Sequence, residues 1–371
     1  MTDSIPRLRE DVKAYLSDPS SWETRDNQGF NALALRVFRH QVNENPMYGS
    51  FVRHRLGSPG SVERWEDIPP VPARAFKEFS LISGDPGSVR LIFRTSGTTG
   101  GQGRRGRHHV QDPELYEASL RPTFQRHLIP EDEPISMVSL VPPTALTPHS
   151  SLGFMVEVVM KTWGAPGSGH FAHPDTGVQV PALHAALEEF AEGGKPVLFM
   201  GTAFAFVHWM DAMDAKGWRI RLPTGSRIME TGGFKGRSRE VSREDLYSAL
   251  EERLGIPTVR MVNEYGMTEL LSQFYEPTLV PGDPGPSRRH VAPPWLRTQI
   301  LHPETLEPVP PGEPGLLSHL DLANLDSVAC VLTEDLGVAA GDGFRLLGRA
   351  IGAEPRGCSL TMEALLDAQG R

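Results

Sequence analysis

The sequence predicts an α/β protein in which parallel sheets are covered by helices and joined to a small β-rich part. Three observations predict it. Short apolar runs alternate with segments of helical period between about residue 112 and residue 262. Gly and Pro mark the joints between them, and strand–helix alternation of that kind builds parallel sheets buried on both faces. After Pro277 the chain becomes rich in Pro and Gly and then reads as short strands, with a turn at Pro310-Pro311-Gly312-Glu313. At 371 residues the chain is long enough for two or three packed subdomains.

The elements follow in order. Leu8, Val12, Tyr15 and Leu16 share one helical face, and 31–38 is a second helix. Pro69-Pro70-Val71-Pro72 breaks the pattern, and short strands are expected from 76 to 110. Asp112 is an N-cap with Pro113 at the first helical position. Strands are expected at 135–140, 196–200, 227–230 and 259–262, and helices at 152–163, 181–191, 204–216 and 243–255. The expected division is 1–75, helical; 76–276, the α/β core; 277–349, the β-rich part; and 350–371, a short tail.

Composition excludes several classes. A net charge of −9 with one short basic cluster, Arg104-Arg105-Gly106-Arg107, suits a small anion and argues against nucleic acid. Two cysteines, Cys330 and Cys358, make neither a disulfide scaffold nor a cysteine-rich zinc site. No apolar run reaches the ~20 residues of a membrane span, and no leader is evident, so a cytoplasmic enzyme is expected.

Two motifs carry chemistry. Arg94-Thr95-Ser96-Gly97-Thr98-Thr99-Gly100-Gly101 follows the apolar run 89–93. Glycines let backbone approach a ligand, successive N–H groups make an anion nest, and hydroxyls add donors for phosphate oxygens. The Gly-Lys-Ser/Thr ending of a Walker loop is absent. The second motif is Asn263-Glu264-Tyr265-Gly266-Met267-Thr268-Glu269. Both motifs, and Thr231-Gly232-Gly233, are expected just past strands, where open parallel sheets bind ligands.

Together these motifs resemble the adenylate-forming superfamily of acyl-CoA synthetases, luciferases and peptide-synthetase adenylation domains. Leu332 to Gly337 and Gly343 to Arg349 resemble its ribose-binding segment and the strand leading to its hinge. The resemblance implies ATP and Mg²⁺ as cofactors. It places the glycine loop (Thr95, Ser96, Gly97, Thr98, Thr99, Gly100) on the polyphosphate, with Ser96, Thr98 and Thr99 on the β- and γ-phosphates. Within the second motif, Gly266 and Met267 flank Tyr265, which lies against adenine, and Thr268, which contacts the α-phosphate. Gly232 and Gly233 border the adenine and acyl sites, Asp335 accepts from the ribose, Arg349 belongs to the nucleotide-binding set, and Glu269 coordinates Mg²⁺.

The superfamily's C-terminal domain, with the lysine that assists adenylation, is expected to be missing here. Lys235 is a candidate substitute, and Arg104, Arg105 and Arg107 stand where relatives carry a Pro-Lys pair. Pro148 to Gly153, Arg356 to Leu360 and the short C-terminus are similar to the acyl-protein synthetase of bacterial luminescence. That resemblance implies activation of a carboxylic acid, expected to be a fatty acid, and its capture by Cys358 as a thioester. The acyl group would then pass to a reductase or carrier partner. A thiolate attacks an acyl phosphate anhydride readily, and Arg356 would lower the thiol pKa. His149 is a candidate for orienting the carboxylate, with a hydrogen-bonded structural histidine as the alternative. Cys330 reads as a core residue. Two other readings stay open: a ligase using an external amine, thiol or carrier, and a nucleotide-binding module without catalysis.

Overall fold

The computed structural model describes residues 4–18, 20–95, 105–232, 241–283, 288–350 and 356–369. Four helices open the chain: α1 (Ile5–Leu16), α2 (Ser21–Thr24), α3 (Asn27–Glu44) and α4 (Pro46–Leu56). The expected face of the first is buried through Leu8, Val12 and Leu16. The short strand β1 (Val71–Pro72) and helix α5 (Ala75–Glu78) precede a hairpin, β2 (Leu91–Arg94) and β3 (Arg107–Val110). Then come α6 (Pro113–Leu128), β4 (Ser136–Ser139), α7 (Ser151–Trp163), β5 (Gly169–His170), β6 (Ala172–His173), β7 (Gly177–Val178) and α8 (Val180–Glu192). They are followed by β8 (Val197–Thr202), α9 (Ala203–Lys216), β9 (Arg227–Thr231), α10 (Arg243–Leu254), β10 (Met261–Tyr265) and β11 (Phe274–Tyr275). The last elements are β12 (Leu296–Leu301), β13 (Gly315–Asp321), β14 (Cys330–Ala340), β15 (Gly343–Arg349) and α11 (Arg356–Gln369). As expected, Asp112 caps α6, accepting from the Glu114 N–H, with Pro113 in the first turn.

The central sheet runs β11-β10-β9-β8-β4-β5, parallel throughout except for β11. Its strands are apolar on both faces because both are covered. Met137, Leu198, Met200, Met229 and Val262 enter one core, packed with α6 and α7. Val138, Val197, Phe199, Ile228 and Met261 enter a second, packed with α8, α9 and α10. The period of two assigns successive residues to opposite layers. The second sheet runs β1-β14-β13-β12, and β15 pairs with the later part of β14.

Three elements differ from the sequence reading. Strand β10 begins two residues late, because Pro257 starts a single 3₁₀ turn over Thr258–Arg260. It then runs on through Asn263, Glu264 and Tyr265, where β11 pairs with it, so half of the second motif lies in the strand. The prolines around Val71 do not end structure there. Val71 and Pro72 pair in parallel with Val331 and Leu332 at an edge position, where proline costs no ladder bond. The residues read as a tail form α11, which lies against α4 and β1. Its stripe Cys358, Thr361, Met362, Leu365 and Ala368 is buried at helical spacing.

Helix α1 is tied to the segment between β13 and β14 and to the residues that follow β3. Arg9 grips Asp326 at 2.6 Å, and the same carboxylate accepts from the Gln111 and Asp112 N–H groups after β3. No helix among the described residues is long and apolar enough to cross a membrane.

Candidate active site

The carboxyl ends of β9 and β10 form the floor of the site. Glu264 is the register partner of Thr231, so Gly232 and Gly266 follow at adjacent strand ends, and both are exposed. Gly232 has φ +74°, a conformation that suits glycine and turns the chain off the sheet. Beneath them Thr231 Oγ1 donates to Glu264 Oε2. A side chain at Gly266 would displace the other Glu264 oxygen from its place beneath the strand end.

Burial pushes the Glu264 carboxyl up to about 7. Its folded-state value lies above the ordinary one, so this group's stabilising share is present at low pH and is lost as pH rises toward about 7. Glu264→Gln is expected to remove that loss, adding about 3 kcal/mol relative to the parent at pH 8 and little at pH 4. Urea unfolding at both pH values measures it; equal parental stability at the two would refute it.

Tyr265 ends β10 buried among Phe274, His290, His319 and Phe344, with ring centroids 5.6 to 5.8 Å away. Its hydroxyl donates to Asp335 Oδ2 at 2.8 Å. Asp335 is the cross-strand partner of Arg349, whose Nε lies 3.5 Å from Oδ1. The fold thus joins three predicted site residues that are far apart in sequence. Asp335 is part-exposed and Arg349 exposed, while desolvation raises the Tyr265 pKa and keeps its proton on.

Beyond Gly266, Met267 packs part-buried on the core, Thr268 is half-buried and Glu269 buried. This loop is pinned on two sides. Asn324 Nδ2 donates to the Glu269 carbonyl at 2.7 Å, and the Leu271 N–H donates to Asp321 Oδ2 and Asn324 Oδ1. From the other side, His108 Nδ1 donates to the Thr268 carbonyl at 2.7 Å. His108 lies on β3 opposite Phe93, and burial lowers its pKa to about 4, so it donates as a neutral ring. Because β2 and β3 flank the glycine loop, this one bond couples the loop's hairpin to the second motif. The sequence reading missed His108, Asp321 and Asn324. The run Asp321-Leu322-Ala323-Asn324 carried a signal, since polar residues inside an apolar stretch are buried only when bonded.

At the loop's neck, Thr95 and Gly106 exchange two bonds: Thr95 N–H to the Gly106 carbonyl at 3.0 Å, and Gly106 N–H to Thr95 Oγ1 at 2.9 Å. Ser96, Gly97, Thr98, Thr99, Gly100, Gly233 and Lys235 lie outside the described residues. His149 is exposed and clamps β2: its carbonyl accepts from the Arg94 N–H, and its Nδ1 donates to the Ile92 carbonyl at 2.8 Å. The aromatic cluster Phe93, Tyr116 and Phe154 stands beside it, with Tyr116 and Phe154 stacked at 5.3 Å.

Cys358 does not ride on an extended tail. It is 1% exposed on α11, among Leu301, Leu316 and Leu332, with Sγ 3.9 Å from the Thr333 carbonyl. Cys330 is a core residue as expected, and burial pushes its thiol up to about 12. Among the described residues no group of three or more His, Cys, Asp or Glu could hold a metal. Glu269 suits a different donor set: Mg²⁺ takes one or two carboxylates with substrate phosphates, and a buried carboxylate on a pinned loop fits that role.

The chain is 21% identical to long-chain-fatty-acid–luciferin-component ligase of Vibrio harveyi, over 96% of this chain and 93% of the relative. It is 21% identical to the protein of the same description from Aliivibrio fischeri, over 94% and 92%. Among solved structures it shares the fold of 2-hydroxyisobutyryl-CoA ligase. The open conformation with 2-HIB-AMP and CoA gives a TM-score of 0.63 at 13% identity, covering 89% of this chain and 77% of that one. The postadenylation state with 2-HIB-AMP gives 0.60 at 13% identity, covering 87% and 67%. The family model of acyl-protein synthetases, LuxE, matches residues 9–367. The chain belongs to the LuxE acyl-protein synthetase family and is an adenylate-forming acid–thiol ligase.

Proposed function

We propose that this enzyme joins a long-chain carboxylic acid to AMP at the expense of ATP and then passes the acyl group to Cys358 as a thioester. The observation that carries the adenylation half is convergence. The glycine-loop neck, Thr268, Glu269, Tyr265 and Asp335 are gathered at the carboxyl ends of the central strands and tied together by His108 and the Tyr265–Asp335 bond. Phosphoryl chemistry of this kind needs positioning and charge neutralisation, and no protein nucleophile.

In this reading Asp335 accepts from the ribose, oriented by the Tyr265 hydroxyl, and Gly232 and Gly266 leave room for the base. The acid lies along Phe93, Tyr116 and Phe154, with His149 Nε2 at its polar end. Mg²⁺, held by Glu269 and phosphate oxygens, would neutralise charge on the triphosphate when bound. The relatives' description as long-chain-fatty-acid ligases supports a fatty acid over a short acid, and a reductase or carrier protein would be the final acceptor.

The test uses labelled fatty acid and ATP. Cys358→Ser should keep acid-dependent pyrophosphate exchange and lose the covalent label; a retained label would remove the cysteine step and leave adenylation standing. The burial of Cys358 favours a second reading, in which an external thiol or amine takes the acyl group directly. Undiminished turnover by Cys358→Ala with a soluble acceptor would establish it.

A further inference from the structure

We infer that Lys77 supplies the cation that neutralises the polyphosphate of ATP as pyrophosphate leaves, an inference that rests on the adenylation proposed above. Lys77 belongs to α5 and is exposed. The helix is anchored on two sides. Phe76 is fully buried, with its ring edge-on to His108 at 5.6 Å, which ties α5 to β3. The Ala73 N–H donates to the Leu332 carbonyl at 2.9 Å, which ties it to β14, three residues before Asp335. Lys77 therefore projects from a rigid mount shared by both halves of the site.

Its stem lies against the neck of the glycine loop. A methyl group at Gly106 would stand 3.6 Å from Lys77 Cγ, an ordinary van der Waals separation, so the lysine stem runs directly beside the neck. Lys77 has no ion-pair partner among the described residues. Exposed Arg105 and Arg107 flank Gly106 in sequence, and Arg94 faces Arg107 directly across the hairpin, so the neck carries several cations. Like charges placed opposite each other on paired strands are destabilising. In a protein of net charge −9, such a set of cations calls for a polyanion.

The chemistry balances without a proton. A carboxylate oxygen bonds to the α-phosphorus while the bond from that phosphorus to the oxygen bridging to the β-phosphate breaks, and the electron pair departs with pyrophosphate. Lys77 stays an ammonium throughout, as a compact point charge on a flexible stem suited to phosphate.

The test is acid-dependent pyrophosphate exchange with Lys77→Ala, whose exposed site leaves thermal unfolding unchanged. The kcat should fall by about 10²-fold or more. Ethylammonium added to Lys77→Ala should restore part of it, and Lys77→Arg should keep more than Lys77→Ala. Exchange at the parental rate in Lys77→Ala, or a rise in the KM for ATP with kcat untouched, overturns the assignment, as does loss that no amine restores. If the parent enzyme itself shows no acid-dependent exchange, the adenylation reading fails first, which separates the two outcomes.

Discussion

His108→Ala is expected to lower the kcat of acid-dependent pyrophosphate exchange by about 10²-fold, although His108 is buried and is assigned no contact with substrate. Its ring is the bond between the hairpin that flanks the glycine loop and the loop that carries Thr268 and Glu269. Without it the Thr268 carbonyl loses its donor, and the Phe76 ring loses its edge-on neighbour. The stability cost should be about 2 kcal/mol, from an unpaired buried carbonyl and a small cavity. The catalytic loss should exceed the stability loss, because phosphoryl transfer depends on placement to within about an ångström. Exchange kinetics and thermal unfolding on the same variant check both; parental exchange in a folded variant would show that the two motifs are held in register without this bond. His108→Gln, with an amide N–H near the same position, should fall between.

Asp321→Leu is expected to cost about 3 kcal/mol or more and to leave exchange weak in whatever folded protein remains. Asp321 is fully buried and accepts from Leu271 N–H, Ser272 Oγ–H and Ala323 N–H at 2.7 to 3.0 Å. Removing it leaves the Ala323 N–H without that acceptor and frees the segment directly after Glu269. Burial raises the Asp321 pKa to about 6, and its hydrogen bonds pull the other way. The folded-state value exceeds the ordinary carboxylate value, so this group's stabilising share is complete at low pH and is lost as pH rises from about 4 through about 6. Asp321→Asn should lack that dependence and be destabilised at neutral pH, because its amide N–H₂ faces backbone donors. Chemical denaturation from pH 4 to pH 8 distinguishes these outcomes.

Much of the fold was legible because the relevant signals are local. The apolar strands read correctly at 136–139, 197–202 and 227–231, as did the helices between them, since a strand buried on both faces is apolar through its middle and does not alternate. The Asp112–Pro113 helix start was equally clear. The start of β10 misled, because Val259 is apolar but stands 62% exposed in a 3₁₀ turn, and the strand's true extent depends on its partner β11. The tail at 350–371 concealed a helix whose stripe Cys358, Met362, Leu365 and Ala368 was there to be counted but has meaning only against α4 and β1.

Sequence alone determined two things about this protein: the motifs by which its family is recognised, and the alternation of strands and helices that makes a two-sided sheet. These follow from residue type and short-range spacing, which the chain carries in itself. Tertiary structure alone decided which distant groups meet: Tyr265 with Asp335, His108 with the Thr268 carbonyl, Lys77 with the neck of the loop, and Cys358 beneath the strand that bears Asp335. Those contacts join residues between 25 and 160 positions apart, and their partners are chosen by how the sheets stack and not by any pattern along the chain.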